Sequence, residues 1–214
     1  VEPDAYRQAR LEMVARQIEA RGVSDRAVLE AMRTVPRHLF VPEKWIDQAY
    51  EDHPLPIGYG QTISQPFIVA WMTELLALEP GDRVLEIGTG SAYQAAILGE
   101  MEAEVYTIEI VEALATQAEE RLTGMGYDSV VVRHADGYFG WQDHAPFQAI
   151  IVTCAPDHIP PSLVSQLGEG GRMVVPVGPP GGYQSLFLVT KKGGEVRSES
   201  LGGVRFVPLT RSQR

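Results

Sequence analysis

The sequence predicts a doubly wound α/β sheet, with helices in front of it and antiparallel strands behind. From residue 83 onward, short runs rich in Val, Ile and Leu alternate with stretches of helical period. Two of those runs, residues 130–133 and 147–153, are apolar without alternation, as strands covered on both faces require. A glycine turn, Gly88-Thr89-Gly90, stands where the first run hands the chain to a helix.

Residues 5–33 read as two helices: Leu11, Val14 and Ile18 share a face, Gly22 stops the first, and Ser24 with Asp25 opens the second. From Pro36 to Pro66 there are five prolines, with Gly58 and Gly60 among them, so a long loop is expected; loops of that length usually serve function. Pro66 suits the first position of a third helix, which runs through Phe67, Trp71, Leu75 and Leu78 to Pro80-Gly81. A strand over 83–87, a helix over 93–101 and a second strand over 104–108 follow. The next helix carries Val111, Leu114, Ala118 and Leu122 on one stripe and closes at Gly124. After the strands over 130–133 and 147–153 come a helix over 161–167, the Gly170-Gly171 pair and a fifth strand over 172–177. Residues 185–191, a Lys-Lys-Gly-Gly turn and residues 204–209 read as antiparallel strands. Residues 1–214 are expected to form one domain, with 1–65 as a helical cap and substrate loop within it.

A formal net charge of −10 argues against a polyanion binder, because phosphate recognition relies on clustered Lys and Arg. The single cysteine, Cys154, excludes an internal disulfide and fits a reducing compartment. Apolar runs are too short to span a bilayer, and the first residues are charged, so a cytoplasmic monomer without nucleic-acid or membrane partners is expected. The five histidines show no i, i+4 pair, so no metal is expected either. Trp45, Trp71 and Trp141 read as packing residues.

Chemistry concentrates after the first predicted strand. In Leu85-Glu86-Ile87-Gly88-Thr89-Gly90-Ser91-Ala92, the glycines let a ligand approach the backbone. A dinucleotide fingerprint would need glycine at position 93, which is Tyr93. Glu109 lies 19 residues past Gly90, where a carboxylate can accept both hydroxyls of a free ribose. Asp136-Gly137, past the third strand, offers an acceptor for an adenine amino group. Three acids at successive strand ends, Glu86, Glu109 and Asp136, favour a cationic sulfonium cofactor over a pyrophosphate. The bland alternative is that Glu109 serves only the positive N-terminus of the helix that follows it.

Four segments, in order and spacing, resemble the protein-L-isoaspartate O-methyltransferase family: 36–42 (Pro-Arg-His-Leu-Phe-Val-Pro), 55–66 with its Gln61-Thr62-Ile63-Ser64 strip, 85–91, and 204–210. The resemblance implies a Rossmann-like methyltransferase sheet with an altered order of its last two strands. It implies S-adenosylmethionine as cofactor, S-adenosylhomocysteine as product, and isoaspartyl-containing proteins and peptides as partners. Ser64 matches the active-site serine, and Gln61, Thr62 and Ile63 match the substrate strip. Glu86, Gly88, Thr89, Gly90, Ser91, Glu109, Ile110, Asp136, Gly137 and Thr210 match the cofactor site or its rim.

The implied reaction is in-line attack of the isoaspartyl side-chain carboxylate on the sulfonium methyl, followed by repair through a succinimide. A carboxylate with a pKa of about 4 needs no general base at neutral pH. Residues 36–66 and 204–209 are expected to bracket an extended peptide with main-chain partners. Three departures stand out: Ala92 for a usual glycine, which would crowd the cofactor's methionine end, Gln148 for a common acid, and Cys154 for alanine. Ser64 also has a bland reading as the N-cap of the third helix. Alternatives for the whole are a methyltransferase acting on another carboxylate or a biosynthetic peptide, and a non-catalytic nucleoside-binding module. An amino-DNA methyltransferase is disfavoured, because Thr153-Cys154-Ala155-Pro156 replaces its Asn-Pro-Pro-Tyr type motif.

Overall fold

Helix α1 (Asp4–Met13) opens the computed structural model, which describes residues 4–212; the ends of the predicted 1–214 unit lie outside the described residues. It runs on through a π-turn, Val14–Ile18, and a 3-10 turn, Glu19–Arg21, to Gly22 at φ 100°, a conformation that favours glycine. Helix α2 (Arg26–Thr34) starts where Asp25 accepts the Val28 N–H at 3.0 Å. Both helices fall where the sequence places them.

The Pro36–Pro66 loop is built from 3-10 turns, Arg37–Phe40 and Glu43–Gln48, and a small antiparallel hairpin of β1 (Leu55–Gly58) and β2 (Gln61–Ile63). Helix α3 (Pro66–Leu76) has proline at its first turn and ends before Leu78, because Ala77 turns left-handed at φ 50°.

Strands β3 (Arg83–Ile87), β4 (Glu104–Glu109), β5 (Val130–His134), β6 (Phe147–Val152), β7 (Leu167–Val177), β8 (Gln184–Lys192) and β9 (Glu195–Val204) form one sheet in the order β5-β4-β3-β6-β7-β8-β9. The first five are parallel, and β8 and β9 are antiparallel additions in chain order. The crossover helices are α4 (Tyr93–Glu100), α5 (Glu112–Gly124) and the shorter α6 (Pro161–Gln166). The chain runs outward from β3 through β4 to β5 and then returns to β6 on the other side of β3. That reversal opens a crevice at the C-terminal ends of β3, β4 and β6.

Alternate residues of the inner strands feed two cores. Val84, Val105, Ala149 and Ile151 join the cap helices, α3 and α4 on one face, while Leu85, Ile108, Ile150 and Val152 join Trp141, Phe147 and Leu163 on the other. This is why those strands lack alternation. Strand β5 departs from the expectation: it is an edge, and Val131 is exposed despite the apolar sequence. Two boundaries also move. Strand β7 begins at Leu167 and takes Gly170-Gly171 in at a bulge, since β6 shifts register between Phe147 and Ala149. The last strand is Glu195–Val204, polar but paired along β8, whereas 205–209 is non-strand chain with a single bridge, Ala155 to Pro208.

Gly137 lies against the switch-point strand: a Cβ there would fall 2.5 Å from Ile87 Cγ2. Gly137→Ala should lower unfolding free energy by roughly 1–3 kcal/mol through overpacking, read from urea melts. An unchanged midpoint would show that Ile87 yields freely.

Candidate active site

Three cavities meet above the crevice. The first, about 50 Å³, is lined by Gly88, Gly90, Glu109, Ile110, Gly137 and Thr210, with Gln61 and Thr62 across from them. The second, about 30 Å³, is lined by Ile63, Ser64, Glu86, Thr89 and Ser91 among others. The third is an open cleft of about 1000 Å³, walled by Arg21, Phe67, Trp71, Tyr183 and 203–207, with Ser64 also in its lining. Thr62 and Thr153 line all three. Of the predicted site residues, only Asp136 is absent from these walls.

Glu109 ends β4, 5% exposed, with Oε2 accepting the Gly90 N–H at 2.8 Å and Oε1 accepting the Val111 N–H at 2.9 Å. Two backbone donors fix the carboxylate, and its remaining lone pairs can serve a diol. The Val111 bond is the helix-start role of the bland reading, so that role and the cavity-facing one coexist.

Glu86 is the least ordinary group. It is fully buried; the Thr107 hydroxyl donates to Oε2 at 2.5 Å, Thr89 bonds Thr107 at 2.6 Å, and Oε1 has no partner. Burial pushes its pKa up to about 8, the Thr107 hydrogen bond opposes the shift, and the charge of Glu109 adds to it. A buried acceptor without a donor is a cost that a cation would relieve. The residues therefore fit a ligand with a ribose near Glu109 and a positive charge near Glu86.

The turn itself needs its glycines. Gly88 and Gly90 have φ 96° and 51°, and a Cβ on Gly88 would sit 2.6 Å from Thr153 Oγ1, which donates to the Gly88 carbonyl at 2.6 Å. The Tyr93 ring is buried, packs edge-on to Phe40 and reaches Met32 Sδ at 3.8 Å, which is why a bulky residue is tolerated where a dinucleotide site needs glycine. Ala92 takes φ 71° with its methyl in the core and is not among the residues lining the three cavities. Gln148 accepts the Arg83 N–H at 2.9 Å through its amide oxygen, and Cys154 lines the first cavity as a thiol whose pKa burial pushes up to about 12.

Asp136 caps the turn Gly137–Phe139. Its Oδ1 accepts the Tyr138 N–H at 3.0 Å, Arg211 Nε reaches both oxygens at 3.2 and 3.0 Å, and Ser212 N–H reaches Oδ2 at 3.2 Å. Burial alone would raise its pKa, but Arg211 and the two backbone donors hold it below the usual value. Its neighbour Gly137 is what faces the cavity. The chain over 205–209 is also less available than expected: Gln184 takes both the N–H and the carbonyl of Phe206, and Ala155 bonds Val207 O and Leu209 N. That wall offers side chains more than main-chain partners.

Ser64 is not the helix cap. The N-cap of α3 is Gln65 and no side chain bonds there, while the Ser64 carbonyl accepts Arg37 Nη2 at 2.8 Å. Sequence reasoning missed Thr153 and the cleft residues Arg21 and Phe67; Trp71, read as a packing residue, does pack against the core and also lines the cleft. The signal for Thr153 was its place at the end of a strand beside the switch point. Among the described residues no three of His, Cys, Asp and Glu gather as metal ligands, and no helix is long and apolar enough to cross a membrane.

An open sheet with a glycine turn and strand-end acids at its switch point defines a nucleoside-cofactor enzyme of the Rossmann-like methyltransferase class. The chain belongs to the protein-L-isoaspartate(D-aspartate) O-methyltransferase family, whose model matches residues 8–214. It is 56% identical over 207 residues to protein-L-isoaspartate O-methyltransferase 2 of Shewanella sediminis, covering 97% of this chain and 85% of that one. A Gloeobacter violaceus protein-L-isoaspartate O-methyltransferase is 56% identical over 201 residues, covering 94% and 98%. A solved protein-L-isoaspartate O-methyltransferase superposes with TM-score 0.85 at 29% identity, over 94% of this chain and 65% of that one. A Plasmodium falciparum structure named for the same enzyme, in complex with S-adenosyl-L-homocysteine, gives TM-score 0.82 at 26% identity, over 95% and 99%.

The raised Glu86 pKa has a definite sign for stability. Between the ordinary 4.5 and about 8 the folded state holds a proton that the unfolded chain has lost, so stability contributed by this group falls as pH rises through that window. In urea melts at about pH 5.5 and about pH 7.5, wild type should lose stability relative to Glu86→Gln. Parallel pH profiles would show that Glu86 ionises normally.

Proposed function

We propose that this chain transfers a methyl group from S-adenosylmethionine to the free carboxylate of L-isoaspartyl residues in damaged proteins and peptides, which initiates repair through a succinimide. The observation that carries the reading is the junction at Thr62, Ser64 and Thr153, where cavities fitted to a cationic nucleoside open into a cleft large enough for a peptide. The S-adenosyl-L-homocysteine complex of the P. falciparum relative supports the cofactor.

When bound, S-adenosylmethionine supplies an activated methyl group to an incoming carboxylate oxygen. The protein's part is binding, orientation and exclusion of water. Glu109 accepts the ribose hydroxyls, and Glu86 supplies a negative counter-charge deep in the pocket. Gly88, Thr89, Gly90 and Ser91 allow close approach, Ile110 and Gly137 pack the nucleoside, Asp136 and Thr210 close the rim, and Gln61, Thr62 and Ile63 line the passage to the cleft. The Ser64 hydroxyl donates to the acceptor carboxylate and turns one oxygen toward the methyl; it is not a nucleophile. No general base is required, since the acceptor is already ionised at neutral pH. Phe67, Trp71 and Tyr183 offer apolar surface to residues flanking the acceptor.

The cap and loop of residues 1–65 belong to the same domain as the sheet, a reading supported by one core shared among Met13, Met32, Phe40, Ile97 and Val105. The protein acts as a cytoplasmic monomer on isoaspartyl proteins and peptides, and its charge of −10 supports the exclusion of polyanions.

Tritium transfer from labelled cofactor should be strong with an isoaspartyl peptide and near background with the matched aspartyl peptide or free aspartate; equal labelling of all three would sink the substrate assignment. Glu109→Ala should weaken S-adenosylhomocysteine binding by roughly 1.5–3 kcal/mol by calorimetry, the cost of lost charge-assisted hydrogen bonds. Unchanged affinity in the folded variant would remove Glu109 from the site. Because Ser64 does not cap α3, Ser64→Ala should keep its melting temperature and lose roughly tenfold or more in kcat/KM on isoaspartyl peptide. A drop in stability with normal turnover would point to a structural serine instead.

A further inference from the structure

Beneath the substrate end of the site lies a charge that the reading above leaves unexplained. Arg37 is 0% exposed. Its Nε donates to the Ala49 carbonyl at 2.7 Å, its Nη2 donates to the Ser64 carbonyl at 2.8 Å, and the guanidinium lies 4.9 Å from the centre of the Tyr93 ring. Nη1 is buried with no hydrogen-bond partner. Among the described residues no carboxylate comes within salt-bridge distance of it. Burial pulls its pKa down to about 10 against the opposing effects of Tyr93, Tyr50 and the more distant Asp52, so it stays charged at neutral pH.

A cation buried with no carboxylate in contact costs several kcal/mol, and a neutral amide could tie two carbonyls together without that penalty. The asymmetry of the site suggests what the charge is for. Glu86 and Glu109 lie on the cofactor side, and Arg37 lies under Ser64, the residue shared by the cleft and the second cavity. Carbonyl and hydroxyl of one serine are held a few bonds apart, so a guanidinium fixed to the first is close to whatever the second binds. Arg37 itself is fully buried, so its charge acts through protein rather than bulk water and is screened less than a surface charge would be. The cleft's other cations are differently placed: Arg21 is partly exposed and paired with Asp52 at 2.9 Å, and Arg205 is exposed.

We propose that Arg37 is the buried positive charge that draws the anionic acceptor carboxylate to Ser64, making it a specificity-determining residue for an ionised acceptor. The inference rests on the carboxylate-methylation reading and adds a residue to it. It also carries a kinetic sign. The acceptor's negative charge disappears as its oxygen takes the methyl group, so a cation that attracts the carboxylate favours the bound substrate over the transition state. Loss of the Arg37 charge should therefore raise KM for the peptide and leave kcat unchanged or slightly higher. A residue that merely braced the loop would lower kcat and cofactor affinity together.

The test compares Arg37→Gln, which removes the charge, with Arg37→Lys, which keeps it. For Arg37→Gln we expect KM for isoaspartyl peptide to rise about tenfold or more, kcat to hold within about threefold, and S-adenosylhomocysteine affinity to be unchanged; Arg37→Lys should recover most of the KM. Unchanged KM in folded Arg37→Gln, or equal defects in both variants, would overturn the inference while wild-type turnover left the substrate assignment standing. Should the variants fail to fold, binding to the S-adenosylhomocysteine-loaded protein decides. An isoaspartyl peptide should bind more tightly than its isoasparaginyl carboxamide analogue, and Arg21→Gln with Arg205→Gln should keep that preference. Its loss in that double variant would assign the attraction to the exposed arginines and reject Arg37.

Discussion

Glu86 is a carboxyl group with no access to water, one oxygen bonded to Thr107 and the other buried without a donor, in a residue that lines the second cavity with Gly88 and Gly90. Much of the architecture serves to keep it there. Strand β3 is buried between β4 and β6, so a side chain near its C-terminal end reaches the crevice without reaching solvent. Strand β4 supplies Thr107, whose hydroxyl also bonds Thr89 and so couples the carboxyl to the turn. With no cation beside it the group holds its proton at neutral pH, because burial lifts its pKa to about 8. A positively charged ligand would reverse that balance.

Charge is also sorted across the site. The acids lie at the ends of β3 and β4, the buried Arg37 lies under Ser64, and Thr62 and Thr153 stand between the two sides. A sorted field of this kind suits two reactants of opposite charge that must approach from opposite directions. The turn between the two sides is tight for a steric reason: Thr153 bonds the Gly88 carbonyl and leaves no room for a side chain on that glycine.

The parts legible in the sequence are those set by neighbours along the chain. The strand, turn and helix around Gly88 are specified by adjacent residues, and Glu109 follows because its strand pairs in register with β3, Ile87 beside Ile108. Two walls of the cleft, from 36–66 and 204–209, were legible, but Arg21, Trp71 and Tyr183 were not, because they join those walls only through the fold. The last strand was misplaced for a physical reason. Residues 195–204 are polar because they form an exposed edge held by backbone pairing to β8, whereas the apolar stretch after them covers the cavity as irregular chain. Strand β5 shows the converse, an apolar edge with Val131 left in solvent. Asp136 was read from its place after β5, but whether Arg211 would occupy it depends on a contact 75 residues away.

The central claim, that a cationic nucleoside cofactor pairs with a carboxyl kept neutral by burial, is tested most directly by counting protons. S-adenosylhomocysteine, which carries an ammonium group, would be titrated into the protein at about pH 7 in two buffers of different ionisation enthalpy. Binding should release close to one proton as Glu86 ionises, and the release should vanish in Glu86→Gln. Tight binding by the wild type with no proton released would contradict the account.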